Sequence, residues 1–214
     1  MRIGIFADTH DHLDHIRLAV EVLNSLECEL VVFAGDFVST IAVPPLRALK
    51  CPMLACFGDN EGNKSGLHGG MRMVGKLAEP PLGFRTPDGK RVLVTHQLQL
   101  LRKDYEGADI IIYGHTHRAK IVHDEAGRLF INPGETSGWT YRNPSVALLE
   151  TTTMQAQIIP LLATPQVAGS SPAAAGLSAS SGKLVGTGPS ESAADEVPLP
   201  TAPLPEENLA DGTS

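Results

Sequence analysis

Five times before residue 118, a short apolar run stops at an aspartate or a histidine. Residues 2–6 lead to Asp8-Thr9-His10, residues 30–33 to Gly35-Asp36, and residues 53–56 to Gly58-Asp59-Asn60. Residues 91–94 lead to Thr95-His96, and residues 110–113 to Gly114-His115-Thr116-His117. Short runs of this composition read as buried strands. Residues 13–26 carry Leu13, Ile16, Ala19, Val20, Leu23 and Leu26 at helical spacing, and Pro44-Pro45 opens a short helical piece to Lys50. Residues 63–70, with three glycines and His68, read as a mobile loop; residues 71–78 and 97–106 read as helices. Pro87-Asp88-Gly89 is a hairpin signal between residues 83–85 and 91–94. Beyond His117 the helices stop. Residues 120–123, 129–131, 145–150 and 154–161 are strands joined by turns at Glu125-Ala126-Gly127 and Asn132-Pro133-Gly134. Strand–helix alternation followed by strands alone implies an α/β fold of two packed mixed β-sheets flanked by helices.

Composition separates a domain, residues 1–162, from a tail, residues 163–214. From about Thr164 the chain is Ala, Ser, Gly, Pro and Thr with no aromatic residue, and it is expected to be disordered because it cannot offset its ordering entropy. Of the net charge of −7, the tail carries −5 (six acidic residues against one lysine), so the domain is nearly neutral. No basic run points to nucleic acid, and no apolar run is long enough for a signal peptide or a membrane span. Cys28, Cys51 and Cys56 have no framework spacing and suit reduced thiols, so a cytoplasmic location is expected.

Ligands of α/β proteins sit beyond the carboxyl ends of the strands. Converging there, these strand ends bring Asp8, Asp36 and Asp59 together with His10, His96, His115 and His117. Unpaired carboxylates at such density repel one another, so cations are implied. Mixed Asp and His donors suit Mn²⁺, Zn²⁺ or Fe better than Ca²⁺ or Mg²⁺, and the donors exceed the needs of one ion. If the chain stays extended at His115-Thr116-His117, both imidazoles face one side.

The series Asp8-x-His10, Gly35-Asp36, Gly58-Asp59-Asn60, His96 and Gly114-His115-x-His117 resembles the calcineurin-like metallophosphoesterases. The compact length and Ile131-Asn132-Pro133-Gly134 resemble their small prokaryotic phosphodiesterase branch. The resemblance covers residues 1–162 and implies a four-layer α/β/β/α fold. It implies two divalent ions, Mn first, with Zn, Fe or Ni as others. Asp8, His10, Asp36 and His117 would hold one, Asp36 would bridge, and Asp59, His96 and His115 would complete the second. It implies hydrolysis of phosphodiesters, with monoesters as a second class, by attack of a metal-bridging hydroxide.

Departures from the family pattern sharpen the expectations. The third motif has Asp59 where an asparagine ligand is usual; either Asp59 takes that place, the preferred register, or Asn60 does. Asn60 stands where many members carry a histidine acid, and it supplies no ionisable proton. It is a candidate for orienting a phosphate oxygen, with His96 as the other catalytic candidate. Gln97 follows His96 where glycine is usual, and Asp11 follows His10. His68 reads as a surface histidine or, second to that, an acid, and Arg118 as an exposed arginine or, second to that, a phosphate contact, while His12, His15 and His123 read as surface or loop residues. Residues 62–70 and 135–143 are the expected substrate loops. Trp139 and Tyr141 in the second suit stacking on a base or packing between chains in a homo-oligomer. A small phosphoester is the expected partner, with neither a membrane nor a nucleic acid. The alternative reading is a non-catalytic metal-binding scaffold similar to the retromer subunit of this fold. A metal-dependent nuclease ranks below both for want of a basic surface.

Overall fold

The computed structural model describes residues 1–101, 105 and 107–161. The tail expected to be disordered lies outside them. Strands β1 (Arg2–Phe6), β2 (Leu30–Ala34), β3 (Met53–Cys56) and β4 (Gly75–Ala78) run parallel. Strands β5 (Leu82–Arg85) and β6 (Arg91–Val94) form the expected hairpin, with β7 (Ile110–Ile112), β8 (Lys120–His123) and β9 (Leu129–Asn132) beside it. Strands β10 (Ser145–Glu150) and β11 (Gln155–Pro160) close the chain. One sheet has the order β11-β10-β1-β2-β3-β4 and the other β5-β6-β7-β9-β8, both mixed as expected.

Period-2 alternation sorts each central strand between two cores. From β1, Phe6 faces the helices, while Ile3 and Ile5 face the second sheet. From β2, Val31 and Phe33 go one way, Leu30 and Val32 the other. Helix α1 (Leu13–Ser25) covers the first sheet with Ile16, Ala19, Val20 and Leu23, joined by α2 (Val43–Leu46) and α3 (Lys64–Met71). Each fully buried Leu, Ile or Phe contributes roughly 1.5–3 kcal/mol relative to exposure. On the far side of the second sheet, Leu98, Leu101 and Tyr105 pack on Ile111 and Phe130. There the described residues hold only a 3₁₀ turn, Leu98–Leu101, where residues 97–106 read as a helix; residues 102–104 and 106 lie outside the description.

Two expectations are corrected. Residues 63–70 are not a loop but enter α3, because the Asn63 side chain accepts the Gly66 N–H at 2.8 Å and caps the turn, and Leu67 and Met71 are buried beneath it. Residues 71–78 are not a helix: β4 pairs with β3, and an added Cβ at Gly75 would lie 1.9 Å from the Met53 carbonyl oxygen. Among the described residues no helix is long and apolar enough to cross a membrane. The three cysteines are free thiols, and burial pushes Cys28 up to about 11 and raises Cys51 and Cys56.

Candidate metal centre

The loops after β1 and β2 run on together past the sheet. Asp8 N donates to Gly35 O (3.0 Å), Thr9 N and His10 N to Asp36 O (3.0 and 3.2 Å), and Asp11 N to Phe37 O (3.1 Å). This zipper turns Asp8 and Asp36, both buried, toward the mouth of the second sheet. Glu61 fastens the third loop to the second, its Oε1 accepting from Asp36 N (3.1 Å), Phe37 N (3.3 Å) and Gly58 N (2.9 Å). The loops meet so closely that side chains are excluded at two points. A Cβ at Gly35 would lie 2.5 Å from His96 Nδ1, and one at Gly58 would lie 2.1 Å from Asp36 Oδ1.

The expected donors come together in three groups, with ligand atoms within 4.8 Å of one another: Asp8, His10 and His117; Asp59, His96 and His115; and Asp8, Asp36 and His96. In the first group His10 Nε2 lies 3.1 Å from His117 Nε2 and 3.6 Å from Asp36 Oδ2, and His117 Nε2 lies 3.5 Å from Asp8 Oδ1. In the second, Asp59 Oδ1 lies 2.8 Å from His96 Nε2 and 3.3 Å from His115 Nδ1. Asp36 Oδ2, 3.3 Å from His96 Nε2, stands between the two. Asn60 bonds to a donor instead of joining the imidazoles: its backbone N–H reaches Asp36 Oδ1 (3.0 Å) and its amide Nδ2 donates to Asp36 Oδ2 (2.7 Å). His68 is exposed on α3, and among the described residues its side chain makes no hydrogen bond or ion pair.

The histidines do not follow extended backbone, as the pair His115-Thr116-His117 was expected to. His115 (φ 68°) and His117 (φ 61°) are left-handed, as are Asp8 (φ 53°), His10 (φ 40°) and Asp36 (φ 68°). Five ligand candidates in a region that side chains avoid is a concentration of strain typical of functional sites. The surroundings impose it. His115 N donates to both Asp8 oxygens (3.1 and 3.2 Å), and Asn132 Nδ2 donates to Gly114 O (2.9 Å) and Thr116 Oγ1 (3.0 Å).

The donor chemistry fits a cation. His96 Nδ1 lies 2.7 Å from Ala34 O, which places a proton there and leaves Nε2 a lone pair. That buried Nε2 makes no hydrogen bond and faces two carboxylate oxygens. His117 repeats the arrangement. Its Nδ1 lies 3.0 Å from Glu135 Oε2, so Nε2 is turned toward Asp8 and His10. A carboxylate behind a ligand histidine fixes its tautomer and raises its basicity. Glu135 is itself buried, and accepts from Thr140 N (2.9 Å) and Tyr141 N (2.5 Å). Lone pairs pointed at lone pairs are repulsive until a positive charge sits among them.

Without a cation, protons take that part. Burial pushes the Asp8 carboxyl up to about 8, against the opposing pull of His96. Burial disfavours the His96 imidazolium, but the Asp36 carboxylate and then Asp8 outweigh it and raise His96 to about 9. For Asp36, burial opposes ionisation, yet His96 and Asn60 hold the carboxyl well below the usual range. Burial lowers His10.

Glu61, Glu135 and Asn132 support the donors without having been expected to: Glu61 directly follows the third motif, Glu135 opens the 135–143 loop expected to meet substrate, and Asn132 stands in the run Ile131-Asn132-Pro133-Gly134. His12 and His15, read as surface or loop residues, are half-buried and stacked on each other, with centroids 3.8 Å apart and planes 3° from parallel. His15 Nδ1 also meets Ser137 O at 2.8 Å.

The family model for the calcineurin-like phosphoesterase superfamily domain matches residues 1–154. Phosphodiesterase MJ0936 of Methanocaldococcus jannaschii is 33% identical over 156 residues, covering 71% of this chain and 93% of that protein. A solved archaeal phosphodiesterase superposes with a TM-score of 0.69 at 29% identity, over 75% of this chain and 99% of its own. A single mutant of Vps29 from Entamoeba histolytica shares the fold at a TM-score of 0.53 and 18% identity, over 75% of this chain and 99% of its own. With that coverage, and donors suited to divalent metal at the strand ends, the chain belongs to the calcineurin-like phosphoesterase superfamily and is a phosphoester hydrolase.

Proposed function

We propose that the chain is a dimetal phosphodiesterase, with phosphomonoesters as a second substrate class and Mn²⁺ as the preferred metal over Zn, Fe or Ni. The observation that carries this is the pair of three-donor groups flanking Asp36. Asp8, His10 and His117 would hold one ion and Asp59, His96 and His115 the other, with Asp36 placed between the two groups. Two such ions supply an acidified water and Lewis-acid contacts to the phosphoryl oxygens. The protein's part is to keep the donors in place. Ala34 O and Glu135 fix the imidazole tautomers, and Glu61 locks the loop bearing Asp36 to the loop bearing Asp59. Asn60 positions Asp36, and its second amide hydrogen is free to orient a phosphoryl oxygen. It has no proton to give a leaving group, so esters of acidic alcohols turn over fastest.

The test is hydrolysis of bis(p-nitrophenyl) phosphate and a panel of mono- and diesters by the purified chain, with each divalent metal in turn. Turnover with Mn²⁺, lost together with bound metal in His115→Ala/His117→Ala, is the expected result. Folded protein that binds metal yet turns over no ester refutes the proposal and supports the scaffold reading, which the acid-less Asn60 favours.

A further inference from the structure

Beside the His10–His117 group stands the chain's sole tryptophan. Trp139 is 63% exposed, yet it is not loose. Its Nε1 donates to His10 O at 3.3 Å, and one side of the indole rests on the His12 ring, centroids 4.5 Å apart. His12 is backed in turn by the stacked His15, which is bonded to the Trp139 loop through Ser137 O. Gly138 (φ 67°) closes that loop against Pro144, whose ring an added Cβ would meet at 3.1 Å. Glu135 ties the same loop to His117. Tyr141, the other exposed aromatic of the loop, is already engaged: its hydroxyl takes Arg118 Nε at 3.1 Å, and the guanidinium lies 5.0 Å from its ring centre.

An indole with one side packed and the rest in water, one hydrogen bond from a ligand residue, is a stacking platform. We propose that Trp139 binds a flat aromatic ester group of the substrate, so that phosphodiesters carrying a nucleoside or aryl group are preferred over alkyl ones. This rests on the phosphodiesterase reading above. Stacking is insensitive to base identity, so the platform selects aromatic over aliphatic without reading sequence.

The test uses Mn²⁺-loaded full-length protein with thymidine 5′-monophosphate, phenyl phosphate and methyl phosphate. Because Trp139 is the sole tryptophan, intrinsic fluorescence reports on it directly. Thymidine monophosphate and phenyl phosphate should quench it saturably, and methyl phosphate should not. As inhibitors of bis(p-nitrophenyl) phosphate hydrolysis, the two aromatic esters should bind about tenfold tighter than methyl phosphate. That ratio should fall to near one in Trp139→Ala and survive in Trp139→Phe. Quenching by phenyl phosphate alone narrows the class to aryl esters. Equal quenching by all three ligands, a wild-type ratio near one, or emission that shifts with protein concentration instead of ligand would overturn the proposal; the last would make Trp139 a contact between chains. Failure of the phosphodiesterase reading shows separately, as no hydrolysis with any divalent metal, and the quenching comparison still decides the platform.

Discussion

The metal-free protein should lose stability as pH rises from 6.5 to 8, and metal should restore it. In the unfolded chain Asp8 titrates near 3.8 and His96 near 6.5; in the folded site they sit at about 8 and about 9. Across the window the folded protein therefore holds protons that the unfolded chain has released, and stability falls with pH. His96 contributes fully below 6.5 and loses its contribution through about 9. The cost of keeping Asp8 buried grows from 3.8 up to about 8. Asp36, held low, stabilises at every pH above 3.8 and adds no slope here, and His10, which burial lowers, opposes the fall only near pH 6.5, where the unfolded imidazole is still releasing its proton. Asp8 and His96 act on each other, so they count as about one shared proton. One proton gives about 1.4 kcal/mol per pH unit, hence about 2 kcal/mol over the window and roughly 4–8 °C in Tm for a domain of this size. Metal binding displaces that proton, so affinity should rise about tenfold per pH unit and the Tm gap between Mn²⁺ and EDTA samples should widen. Thermal melts at half-unit pH steps in each condition measure both slopes, and Asp8→Asn should flatten the EDTA profile. An EDTA Tm that is constant or rises from pH 6.5 to 8 refutes the reasoning.

Two further outcomes concern single carboxylates. Asp59 is 44% exposed, so solvent screens most of its roughly 4 kcal/mol Coulomb term at contact distance, leaving about 1 kcal/mol. Asp59→Asn should weaken Mn²⁺ binding several-fold by titration calorimetry while lowering KM for an anionic diester at saturating metal. Glu135→Gln removes the charge behind His117 and keeps only one of the two oxygens that accept from Tyr141 N and Thr140 N, and should cost 10–100-fold in metal affinity by equilibrium dialysis.

Most of the strands follow from local pattern. Ile3, Ile5 and Phe6 alternate, and the chain stops where its ligand-type residues begin, so strand ends and site are read together. What escaped the sequence has physical causes. Helix α3 contains Gly66, Gly69 and Gly70, residues of low helix propensity; its Asn63 cap and the burial of Leu67 and Met71 decide it, and the burial is tertiary. The left-handed turns at Asp8, His10, Asp36, His115 and His117 leave no compositional mark, since none of these residues is glycine. Asp59 and Asn60 are separated only by what faces them: Asp59 meets two imidazoles, and Asn60 meets Asp36. Glu135 lies in a loop with no pattern, and becomes legible only once the loop folds over His117.

The placement of β1 has a consequence for how the chain is made. β1 lies between β2 and β10, Ile3 pairing with Leu30 on one side and Leu149 on the other, and the N-terminal ammonium ends 3.2 Å from Glu150 Oε1. β1 is thus synthesised well before β10, its partner on one side. At translation speeds of about 5–20 residues per second, the interval is on the order of ten to thirty seconds, during which an apolar edge has no partner. Asp8 likewise precedes its neighbours His115 and His117 by most of the domain. A nascent chain stopped before Ser145 therefore has neither the second partner strand of β1 nor the Ser145 N–H that the Glu135 carbonyl accepts.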